Sequence, residues 1–387
     1  MPINAIQTVK STMPARPDHE FRTPDDMEAI AVCTRPNSDA MDSLCLFLAS
    51  VAPEYRTVQD WPDRSLQACA AAGVFRWFLP TSCGGFGWSE SDQVLGYLRL
   101  AAADLTTTFV ITQLIGACKR IASSENSIPR ERYLDALLAG EKFATVGISH
   151  LTTSSQHLGA PILRATLDGD GYRLDGMSPW VTGAAAADLI VIAATLDNGR
   201  ELLAAVPTST AGVTCGTGTE LVALSASRTD RVTLTNVRVE SDMLLAGPMH
   251  GVLRAGAGAG TGGLQTSTLA AGLSRAAVDY LMKESKKRAD LVEIAEQLDQ
   301  QTRALCNALV DAAGGVACDP GVLRGQANRL VMRTTQAAMT AAKGAGYVDS
   351  HCVGRWCREA LFFLVWSCPS PVAHEHLCEL AGMAGIE

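Results

Sequence analysis

"DGDGYRLDGMSPWVTGAAAADLIVIAA", from Asp168 to Ala194, carries the clearest structural signal in the chain. An Asp-Gly turn is followed by an alternating strand, a Trp-Val-Thr-Gly corner and a second, almost wholly apolar strand. Short β-branched runs with similar turns continue on both sides of it, from Phe143 to about Gly247. We therefore predict a small antiparallel β domain over residues 143–247.

Helical patterns flank this domain on both sides. "DAMDSLCLFLASVAPEYRTVQDW" and "SESDQVLGYLRLAAAD" have apolar residues every three or four positions, with Ser89 or Ser91 as N-cap of the second. They predict a helical domain over 39–142, preceded by a loose, polar arm over 1–38. The long Ala-rich segments that begin with "TSTLAAGLSRAAVDYLMKESKKRADL" predict a helical bundle over 248–387.

Composition excludes several classes of protein. The 387 residues carry a formal charge of -8, which argues against nucleic-acid binding. The apolar runs are too short for a membrane span and the first residues lack a secretory signal, so we expect a cytoplasmic protein. Twelve cysteines are present without a CxxC pair, so we expect no metal site and no disulfide framework.

Four stretches, in this order, resemble the acyl-CoA dehydrogenase superfamily over nearly the whole chain. "AAAGVFRWFLPTSCGGFGWSESD" resembles its amino-terminal glycine-rich stretch, and the stretch quoted first resembles its central signature. "LAAGLSRAAVDYLMKESKKR" is similar to its long bundle helix, and "TAAKGAGYVDSHCVGRWCREA" to its "GG-x-G-hydrophobic" turn. The resemblance implies an α+β fold with an N-terminal helical domain, a central antiparallel β domain and a C-terminal four-helix bundle.

The same resemblance implies FAD as cofactor. Trp180 would wall the flavin ring, Arg288 would reach the pyrophosphate of a neighbouring subunit's FAD, and the Lys343–Gly346 turn would meet its ADP portion. Structural alternatives stay open: a core aromatic for Trp180, a solvated hydroxyl for Ser155, and a helix C-terminal cation for Arg288. The complete set of implied flavin contacts is Ser149, Ser155, Trp180, Val181, Thr182, Arg288, Gly344 and Gly346.

The chain departs from the family at its catalytic carboxylate. Matching "CREALFFLVWSCPSP" to the family's closing motif puts Ser367 where the glutamate belongs, and no Asp or Glu lies between Leu361 and Glu375. The start of the long bundle helix, where some members keep the base, also lacks a carboxylate, and Gly263 stands where many have an arginine. A serine hydroxyl accepts a proton poorly without an adjacent base. His150, which titrates near working pH, is the candidate replacement.

Three functions stay open from sequence. The first is an FAD-dependent oxidoreductase acting on the CH–CH group of an acyl thioester, on CoA or a carrier protein, with a non-standard base. The second is a two-component flavin monooxygenase on the same fold, for which Ser155, His374 and His376 are candidate residues. The third is a non-catalytic FAD-binding relic. An electron-transfer flavoprotein would be the redox partner in the first case and a flavin reductase in the second.

Two structural expectations follow from particular segments. The helices over 264–330 are rich in Ala, Gly and Leu, which favours a homodimer or homotetramer. "FFLVWSCPSPV" should be a buried helix end, stopped by Pro369 and Pro371, with Ser367 facing the substrate.

Overall fold

The computed structural model describes residues 30–151, 161–255 and 263–383. In these ranges helices come first, eight strands follow, and helices close the chain. The helices are α1 Asp39–Val51, α2 Asp63–Ala71, α3 Glu90–Ala103, α4 Leu105–Ala122, α5 Ser127–Ala139, α6 Leu264–Ser285, α7 Val292–Ala313, α8 Pro320–Ala342, α9 Cys352–Ala360, α10 Phe362–Val365 and α11 Ser370–Leu380. The strands are β1 Ala144–Gly147, β2 Leu163–Asp168, β3 Gly171–Val181, β4 Leu189–Leu196, β5 Glu201–Pro207, β6 Val213–Cys215, β7 Asp230–Val239 and β8 Leu244–Met249.

Helix α4 is buried along most of its length and lies between the first helices and the sheet. Its Thr, Val and Ile residues have modest helix propensity, so burial rather than propensity stabilises it. Asp104 caps its N-terminus, since a carboxylate oxygen accepts from the amides of Thr106 and Thr107 at 3.0 and 3.3 Å. At the start of α3, Ser89 rather than Ser91 is the N-cap, as one of the two predicted alternatives.

The sheet has strand order β6-β7-β3-β2-β4-β5-β8, with β1 beside β4. Most pairs are antiparallel, as predicted, but β1 and β2 both run parallel to β4. The pairing of β3 with β7 shifts between Ser178 and Val181, where Trp180 has a φ of 55°. This β-bulge turns the side chain of Trp180 out of the regular alternation.

The closing bundle has a core of its own. Helices α6, α7 and α8 are 22 to 23 residues long and pack with α9 around small apolar side chains. Alanines allow a close approach of the helices. No helix in the described part of the chain is long and apolar enough to cross a membrane.

The segment after α9 differs from its prediction in two respects. Pro369 and Pro371 do not merely stop a helix: α10 has already ended at Val365, and the prolines begin α11. Proline fits there because the first helical turn needs no amide donor. Burial is also incomplete, since Phe363 is 0% exposed whereas Val365 is 78% exposed.

Candidate active-site cleft

One cleft of about 910 Å³ brings together distant parts of the chain. Helices α3 and α4 form one side, the ends of β1 and β3 another, and the start of α6 with residues 362–367 the rest. Ser149, Trp180 and Ser367, three residues singled out from sequence, all line it. A volume of this size suits an elongated ligand of cofactor or substrate dimensions.

An aromatic cluster forms the end of the cleft next to Ser367. The ring of Phe109 on α4 packs edge-on against Phe362 and Trp366, with centroids 4.9 and 4.8 Å apart. Phe362 and Trp366 stack on each other at 5.3 Å. The C-terminal segment is thereby joined to the N-terminal helices, and a flat apolar surface lies beside Ser367.

Arg324, a residue of α8 with 3% exposure, holds the turn that carries Ser367. Its guanidinium donates to the carbonyls of Phe363, Trp366 and Ser367 at 3.0, 2.8 and 3.3 Å. Its Nε donates to Asn328 Oδ1 at 2.9 Å. Ser367 itself has a φ of 45°, so the arginine stabilises a backbone conformation that serine seldom adopts. Arg324 was not predicted from sequence. The one sequence feature that could have indicated its role is the spacing of an Arg and an Asn four residues apart on one helix.

The proposed flavin residues at the end of β3 are one on the cleft wall, Trp180, and two buried behind it, Val181 and Thr182. Trp180 is 52% exposed and lines the cleft, whereas Val181 and Thr182 are 0% exposed. The Thr182 hydroxyl bonds that of Thr229 at 2.9 Å, and its carbonyl accepts from Thr145 at 2.7 Å. Ser149 lies next to this strand end, since its hydroxyl donates to the carbonyl of Pro179, the residue before Trp180. Among these residues, Trp180 and Ser149 are the ones within reach of a ligand.

His150 is buried at 5% exposure and is not among the described residues that line the cleft. Its Nε2 lies 3.1 Å from the Ala193 carbonyl, which fixes the proton there, and its Nδ1 lies 3.3 Å from the Ser178 hydroxyl. Burial lowers the pKa of His150 to about 4, although the bond to Ala193 opposes the shift. A ring with both nitrogens engaged beneath the strands has no geometry for taking a proton in the cleft, so this arrangement does not support the base hypothesis.

The other predicted contacts lie away from the cleft lining. Arg288 donates to the Ala341 carbonyl at 2.8 Å and to Asp290 at 3.1 Å, which brings it close to the Lys343–Tyr347 turn. Gly344 in that turn is exposed and Gly346 is buried. Ser155 falls outside the described residues.

Carboxylates are scarce in the cleft. Glu90, which is exposed, is the one carboxylate among the described lining residues. An ion pair of the half-buried Arg355 with the buried Glu359 lies elsewhere, on a separate cavity of about 330 Å³, with Arg355 Nε 3.4 Å from Glu359 Oε1. Burial raises the pKa of Glu359 to about 7, and Arg355 opposes that rise only in part.

The far end of the cleft is basic. Lys119 and Arg120, in the last turn of α4, both line it. The Lys119 ammonium lies 3.4 Å from Gln93 Oε1 and 5.7 Å from the centre of the Phe78 ring. Arg120 donates to the Gly116 carbonyl at 2.9 Å. Burial lowers the pKa of both groups below the ordinary values, with Glu90 opposing the shift at Lys119.

Known proteins resemble this chain in sequence or in fold. No family model matches the chain. The chain is 23% identical over 324 residues to the "Probable acyl-CoA dehydrogenase YngJ" of Bacillus subtilis, covering 78% of this chain and 85% of that protein. The structure of butyryl-CoA dehydrogenase from Megasphaera elsdenii superposes with a TM-score of 0.73 at 18% identity, over 93% of this chain and 100% of that one. FMN-bound TdsC from Paenibacillus superposes with a TM-score of 0.71 at 16% identity, over 88% and 96% of the two chains.

Proposed function

We propose, since the chain belongs to the acyl-CoA dehydrogenase superfamily of flavoproteins, that it is an FAD-dependent oxidoreductase acting on the CH–CH group of an acyl thioester. The observation that carries the proposal is the meeting of Ser149, Trp180 and Ser367 on one cleft. When bound, a flavin supplies the hydride acceptor for such a reaction.

The residues on the cleft wall fit a flavin. The half-exposed Trp180 offers an indole face at a strand end, and Ser149 offers a hydroxyl and backbone groups beside it. Arg288 donates to the Ala341 carbonyl, just before the turn that holds the exposed Gly344. In a closed oligomer we assign both to the pyrophosphate held by a second subunit.

The chain's contribution to proton transfer differs from the family pattern. Ser367 lies at the aromatic end of the cleft, and the Arg324 guanidinium contacts its carbonyl rather than its hydroxyl. No neighbour in the described lining is a base that would activate this hydroxyl. A dehydrogenation here therefore needs a proton acceptor other than residue 367, and Ser367 is proposed as a vestige of the glutamate position.

The same scarcity of carboxylates favours a second candidate function. A flavin monooxygenase removes no α-proton and so needs no basic side chain in the cleft for that step. A cleft with Glu90 as its one described carboxylate therefore suits monooxygenation too. The fold shared with FMN-bound TdsC is compatible with this alternative.

Anaerobic reduction of the bound flavin distinguishes the dehydrogenase proposal from the monooxygenase alternative. We expect bleaching by an acyl-CoA alone, in the absence of any reductase. A protein that is bleached only by NAD(P)H with a flavin reductase would contradict the dehydrogenase proposal and support the monooxygenase. A bound flavin that neither treatment bleaches would contradict both and leave the non-catalytic FAD-binding relic, and a protein that binds no flavin at all would contradict all three.

The cofactor and its second-subunit contact need their own test. Chromatography of the flavin released by denaturation is expected to give FAD; recovery of FMN alone after reconstitution with both would count against the ADP contacts. Arg288→Gln should lower FAD content, whereas Arg303→Gln, an arginine on α7 with 71% side-chain exposure, should not. Light scattering should give a homodimer or homotetramer, and a monomer with full FAD content would remove the role of Arg288 across subunits.

A further inference from the structure

The basic end of the cleft holds two cations, Lys119 and Arg120, without an ion-pair partner among the residues that the structure describes. In the described part of the chain no carboxylate lies within ion-pair distance of Lys119 or Arg120, and Arg120 is only 7% exposed. Glu90 attracts Lys119 through space but is exposed and outside ion-pair distance.

Arg120 is buried and Lys119 half-buried, and cations in such positions are costly unless an anion compensates them. The C-terminal carbonyls of α4 offer a partial negative charge, which accounts for basic residues in a last helical turn. They do not account for two such residues facing a ligand-sized cleft whose lining is apolar in part, with Phe78 and Ile115 among its members.

The local geometry leaves room for a ligand group between the cations and the sheet. Gly116, one turn before Arg120, also lines the cleft. A Cβ built there would lie 3.5 Å from Arg120 Nη1 and 3.5 Å from Val146 Cγ1, so a larger side chain would occupy the space in front of the guanidinium. The planar guanidinium suits the two oxygens of a carboxylate, and the lysine adds a point charge.

The helix also sets the distance between the two ends of the cleft. Phe109 belongs to the aromatic cluster next to Ser367, and Lys119 follows it by ten residues on the same helix. Ten residues at the helical rise correspond to about 15 Å along the axis. A group held by Lys119 is therefore remote from the reacting carbons.

From these observations we infer that the substrate is an acyl thioester whose far end carries a carboxylate or a similar anion, bound by Lys119 and Arg120. The inference rests on the proposed function and specifies its substrate class. Lys119 and Arg120 are then specificity-determining residues, and a plain fatty acyl chain would leave their charges uncompensated.

The test compares dodecanedioyl-CoA, a monothioester with a free terminal carboxylate, with dodecanoyl-CoA. Dissociation constants are measured by calorimetry on the anaerobically reduced holoprotein, where no turnover occurs. We expect the carboxylate-bearing thioester to bind about tenfold or more tightly, in line with one charged hydrogen bond. Lys119→Met should remove that preference, and Lys119→Arg should keep most of it. Lys119→Gln is the substitute should the methionine variant not fold.

A matched control is available in Lys142→Met. Lys142 pairs with Asp188 at 3.3 Å on the surface and does not line the cleft, so its loss should leave both dissociation constants unchanged. Equal binding of the two thioesters by the wild type, unaltered in Lys119→Met, would overturn the inference while leaving the thioester function intact.

Coenzyme A itself carries phosphates, so a further experiment must show whether the cations bind the acyl carboxylate or a phosphate. Pantetheine thioesters of the same two acids lack those phosphates. A carboxylate preference that persists with pantetheine supports binding of the acyl end. If Lys119→Met instead weakens both CoA thioesters alike and neither pantetheine thioester, the cations hold a phosphate and the inference is wrong.

Failure of the proposed function is also distinguishable. If no thioester binds, the unfolding temperature is measured with free dodecanedioate and with free dodecanoate, which shows whether the anion site exists without the thioester function. Stabilisation of the wild type by the diacid, absent in Lys119→Met, would keep the anion site although the thioester function falls. No difference between the acids would remove both.

Discussion

Replacement of Arg324 by Met should destabilise the protein by releasing the turn that carries Ser367. The arginine makes three bonds to backbone carbonyls and one to Asn328. Counting only the two shortest backbone bonds, to Phe363 and Trp366, at about 1.5 kcal/mol each for a charged donor gives about 3 kcal/mol. Methionine fills similar volume, so the loss comes from the donors rather than from a cavity.

Urea unfolding followed by far-UV circular dichroism measures the change, with equal slopes required before free energies are compared. Arg329→Met is the matched control on the same helix: Arg329 pairs with Glu375 and Glu379 and is 33% exposed, so about 0–1 kcal/mol is expected. Trp366 should also become more accessible to a fluorescence quencher in Arg324→Met alone. Equal midpoints for the two variants would refute the idea that Arg324 fixes this turn.

Three further changes test the site and its titrating groups. Ser367→Ala should leave the rate of flavin bleaching by substrate nearly intact, and Ser367→Glu should raise that rate. If the alanine variant instead loses about 1–3 kcal/mol of transition-state stabilisation at unchanged FAD content, the serine binds substrate. The pKa of Glu359 is raised from 4.5 to about 7, so the contribution of Glu359 to stability should fall by up to about 3 kcal/mol as pH rises through that window. Glu359→Gln lacks this contribution, so the difference in unfolding free energy between wild type and variant should change by that amount, and a pH dependence equal to wild type in urea unfolding would rule this out. The pKa of His150 is lowered from 6.5 to about 4, so stability present above pH 6.5 should be lost as pH falls towards 4. His150→Gln should reduce that acid loss and keep bleaching within about threefold, whereas a drop of about a hundredfold would restore the base hypothesis.

The strands that sequence predicted are those with long β-branched runs. The apolar run of β4, Leu189–Leu196, is buried from Leu189 to Ala194, so its pattern and its environment agree. Strands β6 and β8 were not predicted, because three residues are too few for alternation and β8 contains a Gly-Pro pair. The parallel pairing of β1 with β4 depends on what lies between them in space, and no local pattern encodes it.

At the site, sequence located what the family pattern marks and missed what burial creates. Ser149, Trp180 and Ser367 were placed by resemblance, and they line one cleft. Arg324 and Lys119 were not predicted as site residues, because the sequence of a helix does not show whether a basic side chain lies in solvent or in a cleft. His150 was singled out by its ordinary pKa, which the buried environment then changed.

The wall of the cleft is drawn from widely separated parts of the chain, beginning at Phe78 and ending at Ser367. During synthesis the first helices and the sheet leave the ribosome before the segment that holds Phe362 and Trp366 exists. An early chain can therefore build α4 and the strands but has no surface opposite Phe109. Cofactor and substrate must be captured after translation has passed Ser367, which makes loading of this protein a late event in its biogenesis.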